Sequence, residues 1–134
     1  MKQISDNEQL NEYIKEFEDD IKLNIQNLRE KSLTVSAIRA KWLNYFFLEK
    51  TNLERANNAK AKYLKSKTKV NMGSSLRLKN EDALLENDET LNKLKQIASQ
   101  SQMNIEYLQM ALNILDGFGF QIKTVTEIMK LEKL

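Results

Sequence analysis

No proline interrupts this chain of 134 residues, and only three glycines, Gly73, Gly117 and Gly119, offer places where a helix could stop. Proline costs a helix interior about 3 kcal/mol and glycine about 1 kcal/mol. A chain nearly free of both, with apolar residues recurring at three- and four-residue intervals, is predicted to be all-α.

The pattern divides into segments. Residues 6–19 read as a short amphipathic helix, with Asp6 as N-cap and Leu10, Tyr13, Ile14 and Phe17 on one face. A break is expected near 20–24, where Asn24 can cap a new helix. From Ile25 the spacing runs without a breaker to about Lys69, through Leu28, Val35, Ile38, Trp42, Tyr45, Phe46, Leu53, Ala56, Tyr63 and Leu64. Such a helix would be about 68 Å long. A compact domain of this size is only about 36 Å across, so the helix must break or pack against other subunits.

Residues 70–75, with Gly73, Ser74 and Ser75, form the clearest connector, and 76–87 suit either a loop or a short helix. Asp88 then offers an N-cap for a long C-terminal helix. Its Leu91, Leu94, Ala98, Ser101, Ile105, Leu108, Leu112 and Leu115 keep a strict heptad spacing, with Met103, Tyr107, Met110 and Ile114 as a second row beside it. Gly117 or Gly119 is expected to end that helix in a left-handed cap. An extended Phe120-Gln121-Ile122 and a closing helix capped by Thr124, bearing Val125, Ile128, Met129 and Leu131, complete the expected fold. Two regions follow, 1–75 and 76–134, the second for assembly. The heptad seam admits an intramolecular hairpin or an oligomer, and two apolar rows beside an uncovered long helix favour the oligomer.

Composition narrows the chemistry. Without Cys there are no disulfides or thiolate nucleophiles, and without His the usual metal ligand and proton shuttle are missing. No Gly-rich phosphate loop is present. The reading is a protein with no catalytic residues, no metal and no cofactor. The acidic N-terminus lacks an apolar core segment, and no apolar run approaches the roughly 20 residues of a membrane span, so a soluble intracellular protein without a membrane partner is expected.

Charge is sorted into blocks. Residues 31–79 hold twelve bases against Glu49 and Glu54, a net of +10, while each flank carries −4 and the whole chain only +2. A basic block hidden in a near-neutral chain is the footprint of a polyanion-binding surface. Its densest part holds Lys60, Lys62, Lys65, Lys67 and Lys69, with Arg55 one turn upstream. At 100° per residue, Arg55, Lys62 and Lys69 align with Lys65 beside them, while Lys60 and Lys67 flank Tyr63 and Leu64 on another side. Five lysines in ten residues repel one another unless an anion neutralises them, and phosphates suit that role. Tyr63 is placed either to stack a base or merely to pack. The aromatic stretch 42–48 fills nearly every helical direction with large apolar groups, which favours burial over a stacking platform.

Lys41-Trp42-Leu43-Asn44, followed along the helix by Leu64-Lys65-Ser66-Lys67, resembles the UvsY family of recombination mediators from T-even-like phages. Those proteins carry Lys-Trp-Leu-Asn and Leu-Lys-Ala-Arg at the same spacing. Leu115-Asp116-Gly117-Phe118-Gly119-Phe120-Gln121-Ile122-Lys123 is similar to the family's C-terminal pattern. The likeness covers about 35–70 and 105–131. It implies a homo-oligomeric ring, a hexamer or heptamer, acting in the cytoplasm of an infected bacterial host. Such a ring binds single-stranded DNA, displaces single-strand-binding protein and loads a phage recombinase into a presynaptic filament.

The family's DNA-binding Lys and Arg fall on Lys65 and Lys67, and lysine for arginine keeps the charge without bidentate geometry. The expected DNA-binding set is Arg55, Lys60, Lys62, Tyr63, Lys65, Lys67 and Lys69. The expected assembly set is Ile105, Leu108, Leu112, Leu115, Phe118, Phe120, Ile122 and Ile128. The competing reading is a helical scaffold whose basic face meets an acidic protein partner.

Overall fold

The computed structural model describes residues 7–24, 26–71 and 88–132. Within these the chain is three helices, α1 (Glu8–Asp20), α2 (Leu28–Asn71) and α3 (Glu89–Glu132). It divides into two compact units, one of residues 1–48 and 104–134, the other of 49–103. Each unit takes part of α2 and part of α3.

Local signals set where the helices start. Asn7, not Asp6, is the N-cap of α1, its side chain accepting from the Leu10 N–H at 3.1 Å; Asp6 lies outside the described residues. The expected break falls between Asp20 and Leu28. There Asn24 and Asn27 exchange reciprocal bonds, each backbone N–H donating to the other's side-chain oxygen at 2.8 and 2.9 Å, in the manner of a capping box. Asp88 caps α3, accepting from the N–H groups of Thr90 and Leu91 at 3.0 and 3.1 Å.

The first unit holds the core. Tyr13 and Phe17 of α1, Leu28 and Trp42 of α2, and Leu108, Ala111, Leu112, Leu115, Phe118 and Ile122 of α3 form one buried cluster. Trp42 is its centre, 0% exposed, with Phe17, Tyr45 and Tyr13 rings 5.1, 5.2 and 6.1 Å away in edge-on contacts. Its indole N–H donates to Asp20 Oδ2 at 2.8 Å, which satisfies the ring's one polar atom. Burial of the aromatic stretch is therefore uneven. Trp42 is enclosed, Leu43, Tyr45 and Phe46 are half-buried, and Phe47 and Leu48 are exposed.

The C-terminal part of α3 differs from expectation. It continues through Gly117, Gly119, Phe120 and Thr124 to Glu132, with no Gly-Phe turn and no separate closing helix. Two helical glycines cost about 1 kcal/mol each. Phe118 and Ile122, one turn apart on the core side, are 3% and 4% exposed, and burying each returns about 2–3 kcal/mol. A left-handed residue between them would turn one of the pair away. Burial therefore decides for the continuous helix, in which the Thr126 hydroxyl donates to the Ile122 carbonyl at 2.8 Å.

The buried residues described in the second unit are Glu49 and Ala56 of α2 and Leu91, Ala98 and Ser101 of α3. Of the expected connector 70–75, Val70 and Asn71 belong to α2, while 72–75, the segment 76–87, and within it Arg77 and Lys79, lie outside the described residues.

Candidate nucleic-acid interface

The fold splits the basic block in two. In the first unit two bases of the block, Arg39 and Lys41, are held by acids and a third, Lys31, by a backbone carbonyl. Lys41 Nζ lies 2.6 Å from Asp20 Oδ2 and 3.1 Å from Glu16 Oε2. Burial alone would lower the Lys41 pKa, but the hydrogen bonds and charges of Asp20 and Glu16 outweigh it and hold the ammonium above its ordinary range. Arg39 Nε donates to Asp116 Oδ1 at 2.7 Å. Lys31 Nζ donates to the Asp20 backbone carbonyl at 2.8 Å, satisfying an end group of α1.

In the second unit four cations of the block stand apart from acids. Arg55, Lys62 and Lys65 are exposed and Lys60 is half-buried, and none of the four forms an ion pair with any described residue. Helical rotation explains the sorting. Ala56, the buried residue of this stretch, marks the inward direction, and Lys60, Tyr63 and Lys67 lie within about 40° of it. Arg55, Lys62 and Lys65 fall on the opposite side within a stripe about 80° wide. The charge is thus an outward row of three, with Lys60 and Lys67 about 120–160° around the helix from it. Lys69 belongs to α2, but its side chain is not among those described.

The inner side is pinned to the start of α3. The Tyr63 hydroxyl donates to Asp88 Oδ2 at 2.5 Å, and Lys67 Nζ is 3.8 Å from the same oxygen. Lys67 also sits 5.6 Å from the centroid of the Tyr63 ring. The Tyr63 bond, then the Leu91 amide, hold the Asp88 carboxyl below the ordinary carboxylate range. Tyr63 is thus half-buried, engaged through its hydroxyl and covered on one face, a packed residue in this arrangement. No helical spacing announces Asp88 as its partner, because the two stand 25 positions apart across the connector.

Most of the expected assembly residues lie inside the protomer. Ile105, Leu108, Leu112, Leu115, Phe118 and Ile122 are all buried, so the heptad seam is satisfied within the chain. Phe120 and Ile128 are 73% and 50% exposed. The second row expected from the sequence, with Met110 and Ile114, is exposed, and what sequence reasoning passed over is its continuation through Gly117, Gln121 and Val125 to Ile128 on the same side of α3. Its signal was present in the same periodicity, one step around the helix. Among the described residues there is no cluster of metal-ligating side chains and no helix long and apolar enough to cross a membrane.

An all-α protein that neutralises its structural bases and presents a separate cationic helix face belongs, by class, with helical polyanion-binding proteins. Residues 16–133 match the family described as recombination, repair and ssDNA binding protein UvsY. The chain belongs to the UvsY family. The fold matches the crystal structure of the bacteriophage T4 recombination mediator protein UvsY in lattice type IV with a TM-score of 0.77 and 20% identity, covering 92% of this chain and 98% of that one. The lattice type II structure of that protein gives 0.75 and 18% identity over 93% and 98%. A comparison with curated protein sequences returns no match.

Proposed function

We propose that this protein is a single-stranded-DNA-binding recombination mediator. The observation that carries the reading is the division of the basic block, in which Arg39 and Lys41 of the first unit meet acids while Arg55, Lys62 and Lys65 face solvent as a row unpaired with any described residue. Three like charges on one helix face repel one another, and a phosphate backbone relieves that repulsion while releasing counterions. Membership of the UvsY family supports the same ligand. In this reading the mediator displaces single-strand-binding protein and loads a phage recombinase into a presynaptic filament in the host cytoplasm.

The active form in this reading is a ring of six or seven copies. The exposed row Met110, Ile114, Val125 and Ile128 supports that assembly, with Phe120 and Leu131 beside it. A ring repeats a weak three-cation row, and repetition multiplies avidity for a flexible strand. The deciding experiment is a fluorescence-anisotropy titration of a mixed-sequence oligonucleotide across a salt series. Binding that weakens with salt by a log–log slope of about 2 for each engaged subunit is expected. No binding at low salt would reject the reading and favour an acidic protein partner for the basic face.

A further inference from the structure

Asp88 uses its two oxygens for different purposes. Oδ1 accepts from Thr90 and Leu91 and starts α3, while Oδ2 receives the Tyr63 hydroxyl and faces the Lys67 ammonium. A carboxylate therefore faces a lysine of the basic helix. We propose that Asp88 is an internal counter-anion that sets the affinity of this helix for single-stranded DNA: it withholds Lys67, and a strand phosphate must displace it to engage that lysine. The proposal rests on the DNA-binding reading above.

The geometry makes the exchange feasible. Lys67 is 45% exposed and 3.8 Å from Asp88, a loose pair that solvent screens and an incoming anion can replace. The Tyr63 bond is shorter and keeps the carboxylate in place, so displacement costs part of the affinity that Lys67 would otherwise supply. Binding then has two tiers. Arg55, Lys62 and Lys65 meet a strand at once, and Lys67 joins only after Asp88 yields. Tyr63, freed at one face when Lys67 swings to a phosphate, becomes available to a base only at that second stage.

Asp88→Asn isolates the charge, because asparagine caps a helix as well as aspartate and keeps the acceptor toward Thr90 and Leu91. With the whole chain and a labelled oligonucleotide, D88N is expected to bind roughly threefold to tenfold more tightly, with the salt slope steeper by about 0.7 for each engaged subunit. The gain should vanish when Lys67→Gln is added, since the pair is then already broken. Glu89→Gln removes an equal charge one residue away and should change affinity much less. An equal gain in E89Q, a gain that survives in the double variant, or unchanged or weaker binding by D88N would each overturn the proposal. Failure of the unmodified protein to bind would instead reject the DNA-binding reading itself, and this proposal with it. A thermal melt of D88N matching the parent confirms that the cap is intact, and the Lys67→Gln pair alone decides the matter if it does not.

Discussion

Lys41 and Asp20 form the tightest ion pair of the first unit, 2.6 Å apart, and the same Asp20 oxygen accepts the indole N–H of Trp42. One carboxylate at the end of α1 thus fixes two consecutive side chains of α2, one charged and one in the centre of the core. Asp20→Asn keeps an acceptor for Trp42 and removes the charge that offsets Lys41. Both partners are partly exposed, so the cost is discounted to about 1 kcal/mol. The expected outcome is a lowered denaturant midpoint, followed by fluorescence of Trp42, the one tryptophan. A midpoint equal to the parent's would show that Glu16 alone holds Lys41.

Stability should also fall in alkali. Lys41 has a raised pKa in the folded protein; Tyr45 is pushed up by burial and then by Glu16, and Tyr107 by burial and then by the Glu18 charge. A raised folded-state pKa gives stability that is full below the unfolded value and lost as pH rises through the folded one. All three groups have unfolded values near 10, so melting temperature is expected to hold to about pH 10 and then decline. D20N should decline less steeply over that range, because one of the three contributions has been weakened. Parallel pH profiles for the parent and D20N would contradict the assignment of Lys41.

Assembly is tested on the outer face of α3, and the choice of residue decides what the experiment reads. Leu112 is 5% exposed, so Leu112→Asp would place a charge in the core and unfold the first unit at a cost of about 4 kcal/mol or more. Ile114 is 42% exposed and Ile128 50%. Ile114→Asp with Ile128→Asp is expected to leave the melting temperature of the monomer unchanged and to lower the sedimentation coefficient to that of a single chain. A coefficient that does not move would place the subunit contact elsewhere.

The same pair of faces shows what could be read in advance. Two helix starts were legible because capping is local: Asp88 sits directly before the helix it caps, and Asn24 within three residues of its partner Asn27, whereas the cap of α1 is Asn7 and not the expected Asp6. Heptad spacing showed that Leu91 to Leu115 is a buried face, but spacing does not say what covers it, and here other parts of the chain do. Gly117 and Gly119 misled for a related reason. Their intrinsic preference is a property of the residue, whereas the helix is held by Phe118 and Ile122 against the core formed with Phe17 and Trp42. The Tyr63–Asp88–Lys67 cluster needed the fold to bring both ends of the connector together.

Gly117 gives a further check on the continuous helix. A Cβ built there meets nothing within 4 Å, and its φ is not in the left-handed range. Gly117→Ala is therefore expected to stabilise the monomer by about 0.5–1 kcal/mol, read as a raised urea midpoint at a concentration low enough to exclude assembly. Destabilisation of the monomer would mean that the chain does turn at this glycine. Weaker assembly with a more stable monomer would instead place Gly117 at a close approach between subunits.

The outward row makes the sharpest functional prediction, because the basic residues are not equivalent. Lys62 and Lys65 are exposed and unpaired with any described residue, whereas Lys67 already faces Asp88. Lys62→Ala with Lys65→Ala should lower the salt slope by about 1.4 for each engaged subunit and weaken binding at every salt concentration. Lys67→Ala alone should weaken binding less than Lys62→Ala or Lys65→Ala, since a phosphate gains there only what it takes from Asp88. Helix content by circular dichroism and the sedimentation coefficient should stay at the parent values throughout. If the three single variants lost affinity equally, the rotation that separates the outer row from the inner lysines would not govern how the strand is held.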